Sequence, residues 1–125
     1  MNKNILIIED DAILADMYHD KFAISGYSVT TEADGKKGLD LALATKPDLI
    51  LLDLALPKLK GTDIMGALRT SDWGKNVPII ILTNLNVDGK ILAAITEYSP
   101  VYCLLKANIT PEDVVNKAKE VLKHE

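Results

Sequence analysis

The sequence predicts a three-layer α/β sandwich built on a doubly wound, five-stranded parallel sheet. Strand-sized apolar or β-branched runs recur at Ile5 to Ile8, Tyr27 to Thr31, Leu49 to Leu52, Ile79 to Leu82 and Val101 to Leu105. Their first residues lie 22, 22, 30 and 22 positions apart, which leaves room in each gap for a helix of about ten residues or more, as a parallel crossover requires. Between the runs the pattern turns helical: Leu14, Met17, Tyr18 and Phe22 form one stripe, and Val114, Ala118, Val121 and Leu122 another. The runs starting at Ile5, Leu49 and Ile79 lack polar alternation, as strands covered on both faces do, whereas "YSVTTE" alternates and belongs at an edge.

Each boundary has a local signal. Asp11 can cap a helix beginning at Ala12. Pro47, Pro78 and Pro100 precede the third, fourth and fifth strands. In "NITPED", Thr110 is placed to cap the last helix, Pro111 to open it and Asp113 to close a capping box. No linker, low-complexity stretch or solenoid-type repeat divides the chain, so residues 1–125 are expected to form one domain, and Met1 with a helix running to the end favours a complete gene product.

The chain has 125 residues, 48% hydrophobic and 26% charged, enough to build a core without staples. Its net charge of −4 disfavours direct nucleic-acid binding. Cys103 is the sole cysteine and lies in the apolar run "VYCLL", where a buried thiol is expected. The apolar stretch of "MNKNILIIEDD" is too short for a signal-peptide core and nothing later approaches a membrane span, so a cytoplasmic protein without membrane contact is expected.

Ligand sites of open parallel sheets form at the carboxyl ends of the strands. The residues there are Glu9, Asp10 and Asp11 after the first run, Asp53 after the third, Thr83 and Asn84 after the fourth, and Lys106 near the end of the fifth. Burying Asp53 behind four large apolar residues is costly unless its charge is matched. Clustered carboxylates repel one another, so their convergence favours a divalent cation, and hard oxygen ligands beside a phosphate favour magnesium. A solvated acidic corner, a strand-terminal threonine and a surface lysine are the bland alternatives, and register with Asp53 is what argues against them.

These residues carry a resemblance. The stretches "ILIIEDD", "PDLILLDLALPKLKG", "VPIIILT" and "LLK" stand in the order and spacing of a response-regulator receiver domain, the phosphoacceptor of two-component signalling. The resemblance covers roughly Asn4 to Leu122 and implies a CheY-like, flavodoxin-type fold with strand order 2-1-3-4-5. It implies that Asp53 accepts a phosphoryl group from a phosphohistidine on a sensor histidine kinase or histidine phosphotransfer protein. It further implies that Glu9, Asp10, Asp53 and the carbonyl of Ala55 hold Mg2+, and that Thr83 and Lys106 stabilise the phosphoryl oxygens. The message is expected to leave through helix four, strand five and helix five toward a downstream protein, with no enzymatic activity beyond self-directed phosphotransfer.

The chain departs from the pattern at the switch region. Receivers commonly carry an aromatic residue where this chain has Cys103, and the adjacent Tyr102 points to the other face unless a bulge shifts the register. Ala107 follows Lys106 in place of the family's proline, which leaves a trans peptide in a rearranged loop or a strained cis one. Asn84 is larger than the usual residue and could narrow access. Ala55 and Leu85 offer no polar side chain to hold an attacking water, so slow autodephosphorylation is expected. These departures keep open a second reading, a pseudo-receiver that binds protein constitutively. His19 and His124 have no partners at ligand spacing, Trp73 has a packing or lid role, and Tyr98 and Tyr102 belong to the core or to a partner surface.

Overall fold

The computed structural model describes residues 2–84 and 88–123. Strands β1 (Asn4–Ile8), β2 (Ser28–Glu32), β3 (Leu49–Leu52), β4 (Ile79–Thr83) and β5 (Tyr102–Leu105) alternate with helices α1 (Ala12–Ile24), α2 (Gly35–Thr45), α3 (Gly61–Arg69), α4 (Gly89–Tyr98) and α5 (Pro111–Lys123). The strands form one parallel sheet in the order β2-β1-β3-β4-β5. The expected runs and the strands agree to within one residue at each end, the usual latitude of an element boundary.

The unbroken apolar runs are the central strands: every residue of β3 and β4 is buried, as are Ile5 to Ile8 of β1. One face of the sheet packs on α1 and α5 through Tyr18, Phe22, Val114, Ala118 and Leu122. The other packs on α2 and α3 through Leu39, Ala42, Ile64, Met65 and Leu68. Helix ends follow the sequence signals. Asp11 accepts from the Leu14 N–H at 3.1 Å, and Thr110 and Asp113 form a reciprocal box, with bonds of 3.1 and 3.4 Å.

One expectation is overturned. Cys103 is exposed. The fifth strand lies at an edge, its residues alternate between half-buried and exposed, and α4 brings no buried side chain over it. The thiol therefore faces a thinly covered part of the sheet. Tyr102 and Leu104 point the opposite way, into the α1/α5 layer, with the Lys117 ammonium 4.7 Å from the centre of the Tyr102 ring. No bulge interrupts the pairing of β5 with β4, so Tyr102 faces away from the switch position as the strand period requires. Tyr98 and Trp73 both pack, half-buried, against the α2/α3 core.

Candidate functional site

The site is built by the parallel register. Ile8 pairs with Leu52, and Leu52 with Ile81, so β1, β3 and β4 end at one level. The ladder runs one step further, with Asp53 N–H donating to the Ile8 carbonyl and Glu9 N–H to the Glu32 carbonyl, both at 3.0 Å. Asp53 and Glu9 are thus anchored by their own backbone at the sheet's rim, each only 5% exposed. Asp10 is exposed beside them. Thr83 closes β4, fully buried and paired with Leu105.

Lys106 follows directly on β5, in a single 3-10 turn spanning Lys106–Asn108. Its ammonium meets Glu9 Oε1 at 2.5 Å and Asp53 Oδ2 at 3.1 Å. The other Asp53 oxygen accepts from the Ala55 N–H at 3.0 Å, and Glu9 Oε2 accepts from the Asp11 N–H at 3.2 Å. The peptide after Lys106 is trans, as are all those described. The lysine reaches both carboxylates from that arrangement without a proline at Ala107.

Electrostatics follow from burial. Loss of solvation lifts the Glu9 carboxyl to about 7; the Lys106 bond opposes this and Asp53 adds to it. Burial pulls the Lys106 ammonium down, but its bonds to Glu9 and Asp53 outweigh that and raise it. One lysine does not satisfy the charge gathered here. Glu9, Asp10 and Asp53 can each present an oxygen with all three atoms within 4.8 Å of one another. That all-oxygen donor set suits a small hard dication such as magnesium.

Gly61 shapes the loop beyond Asp53. A Cβ there would lie 2.7 Å from both the Asp53 carbonyl oxygen and the Leu54 Cα, so the start of α3 can sit against the site's backbone only without a side chain. The motif's glycine has a steric reason.

A family model described as the response regulator receiver domain matches residues 5–119. The chain belongs to the response-regulator receiver family. The receiver is 33% identical over 89 residues to the polar-differentiation response regulator DivK of Brucella anthropi, a match spanning 71% of this chain and 72% of DivK. It is 41% identical over 81 residues to RpaA of Synechocystis, named a DNA-binding dual master transcriptional regulator, but that match spans 65% of this chain and only 34% of RpaA. Among solved structures, the receiver aligns with a CheY-like receiver domain protein from Methanospirillum hungatei at a TM-score of 0.90 and 23% identity, over 99% of this chain and 96% of that one. A response regulator from Burkholderia multivorans aligns at 0.78 and 32% identity, over 97% and 95%. The chain is thus a receiver domain of two-component signalling, and its sheet order is the CheY-like one.

The structure brings Glu9, Asp10, Asp53, Ala55, Thr83 and Lys106 to one rim. Asn84 is exposed at its edge, while Cys103 and Tyr102 lie along β5 on opposite faces of the sheet. His19 is exposed enough to pair with Asp20 at 3.2 Å, away from the cluster. Leu85 and His124 lie outside the described residues. Sequence reasoning missed two residues. Tyr18 stood only as one member of an apolar stripe, yet it borders the site from below. Arg69 was passed over, yet its guanidinium donates to the carbonyls of Gly74 and Val77 at 2.7 Å and of Tyr98 at 2.8 Å. An arginine in the last turn of a helix was the available signal.

Proposed function

We propose that this receiver accepts a phosphoryl group on Asp53 from the phosphohistidine of a sensor histidine kinase or histidine phosphotransfer protein, and signals through altered protein binding. The observation that carries this is Lys106 bridging Asp53 and Glu9 at the strand ends. A carboxylate held by a cation on one oxygen and a backbone N–H on the other is oriented for in-line attack. In the transfer the Asp53 oxygen forms a bond to phosphorus, the P–N bond breaks, and its electron pair returns to the donor's imidazole. Asp10, Asp53 and the Ala55 carbonyl, with Glu9 behind them, would hold Mg2+, which supplies positive charge to the phosphoryl oxygens. Lys106 and the Thr83 hydroxyl would bind the same oxygens.

Hydrogen bonds to charged groups are worth about 1.5 to 3 kcal/mol each, so Thr83 and Lys106 together supply about 3 to 6 kcal/mol. Moving a population from 1:99 to 99:1 takes about 5.5 kcal/mol. The two contacts are therefore of the size a switch needs. The methyl of Ala55 cannot hold an attacking water, so the aspartyl phosphate is long-lived; loss within seconds would overturn this.

The test of phosphotransfer is mass spectrometry after incubation with acetyl phosphate and magnesium. Wild type gains one phosphoryl group and Asp53→Asn gains none; equal labelling of both sinks the assignment. The reading extends to a single receiver unit acting in the cytoplasm, passing its signal to a protein through α4, β5 and α5. Leu92 of α4 and Leu105 of β5 are 56% and 42% exposed on that face.

A second reading, the constitutive pseudo-receiver, is favoured by one observation: Cys103 stands in the relay slot and Tyr102 is turned into the α5 layer. Titration with beryllofluoride and magnesium separates the two. The receiver binds the phosphoryl mimic and changes its partner affinity, and the pseudo-receiver does neither.

A further inference from the structure

The first turn of α2 touches the loop that follows Asp53. A Cβ on Gly35 would lie 2.9 Å from the Leu59 carbonyl oxygen, 3.2 Å from Ile64 Cδ1 and 3.3 Å from the Leu59 Cβ. Helix and loop therefore meet backbone to backbone, an approach that only a residue without a side chain permits. Charge links the same two segments. Asp34 caps this turn by accepting from the Lys37 N–H at 3.0 Å. That bond chiefly holds its carboxyl below the usual range, and the ammonium of Lys58, on the loop, adds to the effect.

The two sides of the contact are unequally held. Helix α2 buries Gly35, Gly38, Leu39 and Ala42, the last two in the core beneath the sheet. Between Leu54 and Leu59, among the described residues, the loop makes one backbone–backbone hydrogen bond, from the Gly61 N–H to the Leu54 carbonyl at 3.2 Å. Its course otherwise depends on packing, with Leu54 and Leu56 buried and Leu59 half-buried against the same core. A body pressed between helix and loop would thus displace the loop. Ala55 lies on that loop, and its N–H holds Asp53 Oδ1 at 3.0 Å.

We propose that Gly35 is a positioning residue for the site: the first turn of α2 is the stop on which the Leu59 backbone rests, and it sets where the loop carries Ala55, whose N–H orients Asp53 and whose carbonyl would hold Mg2+. This rests on Asp53 being the phosphoacceptor.

The test compares Gly35→Ala with Gly38→Ala in the full chain. A Cβ at Gly38 would lie 2.9 Å from the Ile8 side chain, so it presses on the core from the same helix without touching the loop. Affinities for Mg2+ alone, and for beryllofluoride in saturating Mg2+, are read under conditions where urea unfolding shows each variant folded. Gly35→Ala binds Mg2+ about tenfold more weakly, the scale on which lost outer support weakens a metal site, and beryllofluoride affinity falls with it. Gly38→Ala keeps wild-type affinities. Unchanged affinities in Gly35→Ala overturn the proposal, and so do equal losses in both variants, which would trace the effect to helix packing. Should Gly35→Ala not fold, the wild type carries the test. As Mg2+ is added, the amide resonances of Gly35 and Leu59 move with that of Ala55 while that of Gly38 stays; an unmoved Gly35 resonance overturns the proposal. A wild type that binds neither Mg2+ nor beryllofluoride sinks the phosphoacceptor reading instead, an outcome distinct from a wild type that binds and a variant that binds equally.

Discussion

Glu9 is placed where its charge is least welcome, buried next to Asp53, and this gives the fold a pH dependence. Its carboxyl is raised from 4.5 to about 7, so between those values the folded chain holds a proton that the unfolded chain has released. Stability from this group is full below about 4.5 and is lost as pH rises through about 7. The scale is about 3 kcal/mol. Urea unfolding at pH 5 and pH 8 should therefore show wild type losing stability on the alkaline side, and Glu9→Gln losing much less; equal slopes would contradict the assignment. Magnesium held at the proposed site would oppose the loss by binding the folded state. How far the residues were legible follows from the same geometry. Asp53, Glu9, Asp10, Thr83 and Lys106 could be placed together because a parallel sheet carries every strand's carboxyl end to one edge. The pairing of Lys106 with Glu9 was not legible, since strand order says which residues are neighbours and not which oxygen an ammonium selects.

At the scale of elements, the loop from Asp53 to α3 and the end of α4 invite opposite substitutions. Gly61 faces backbone at 2.7 Å on two atoms, and backbone cannot step aside as a side-chain tip can. Gly61→Ala should cost about 1 to 3 kcal/mol and displace the Asp53–Leu54 backbone it would clash with, lowering phosphoryl transfer more than stability alone explains. Transfer at the wild-type rate would show that the loop tolerates the shift. Ser99 ends α4 in the left-handed region at φ 49°, a conformation that costs an L-residue about 1 kcal/mol. Ser99→Gly should stabilise by about 0.5 to 1 kcal/mol, read as a higher urea midpoint; a lower midpoint would mean that its side-chain bond to Thr96 outweighs the strain. The three central strands were easy to find because their apolar runs are continuous. The exposure of Cys103 was not, because an apolar run on an edge strand looks the same whether or not a helix covers it.

At the scale of the whole molecule, the layer on the Cys103 side is unevenly attached. Helices α1, α2, α3 and α5 each bury side chains against the sheet, whereas α4 buries none. It contributes half-buried Ile91 and Tyr98 to the core and is held mainly at its ends. Asp88 caps the Ile91 N–H at 2.9 Å, and Arg69 grips the Tyr98 carbonyl at 2.8 Å while its other nitrogen ties down the loop before β4. Local opening free energy scales with buried apolar contact, so α4 should open well below the global unfolding limit. Native-state hydrogen exchange checks this: amides in α4 exchange faster than those in α3 or α5. Arg69→Met should accelerate exchange at the α4 carboxyl end while leaving α1 unchanged. Protection of α4 equal to that of α3 would refute the argument. The helix whose outer face would carry the signal is then the one whose attachment costs least to rearrange, and a few kcal/mol gathered at Asp53 is commensurate with moving it.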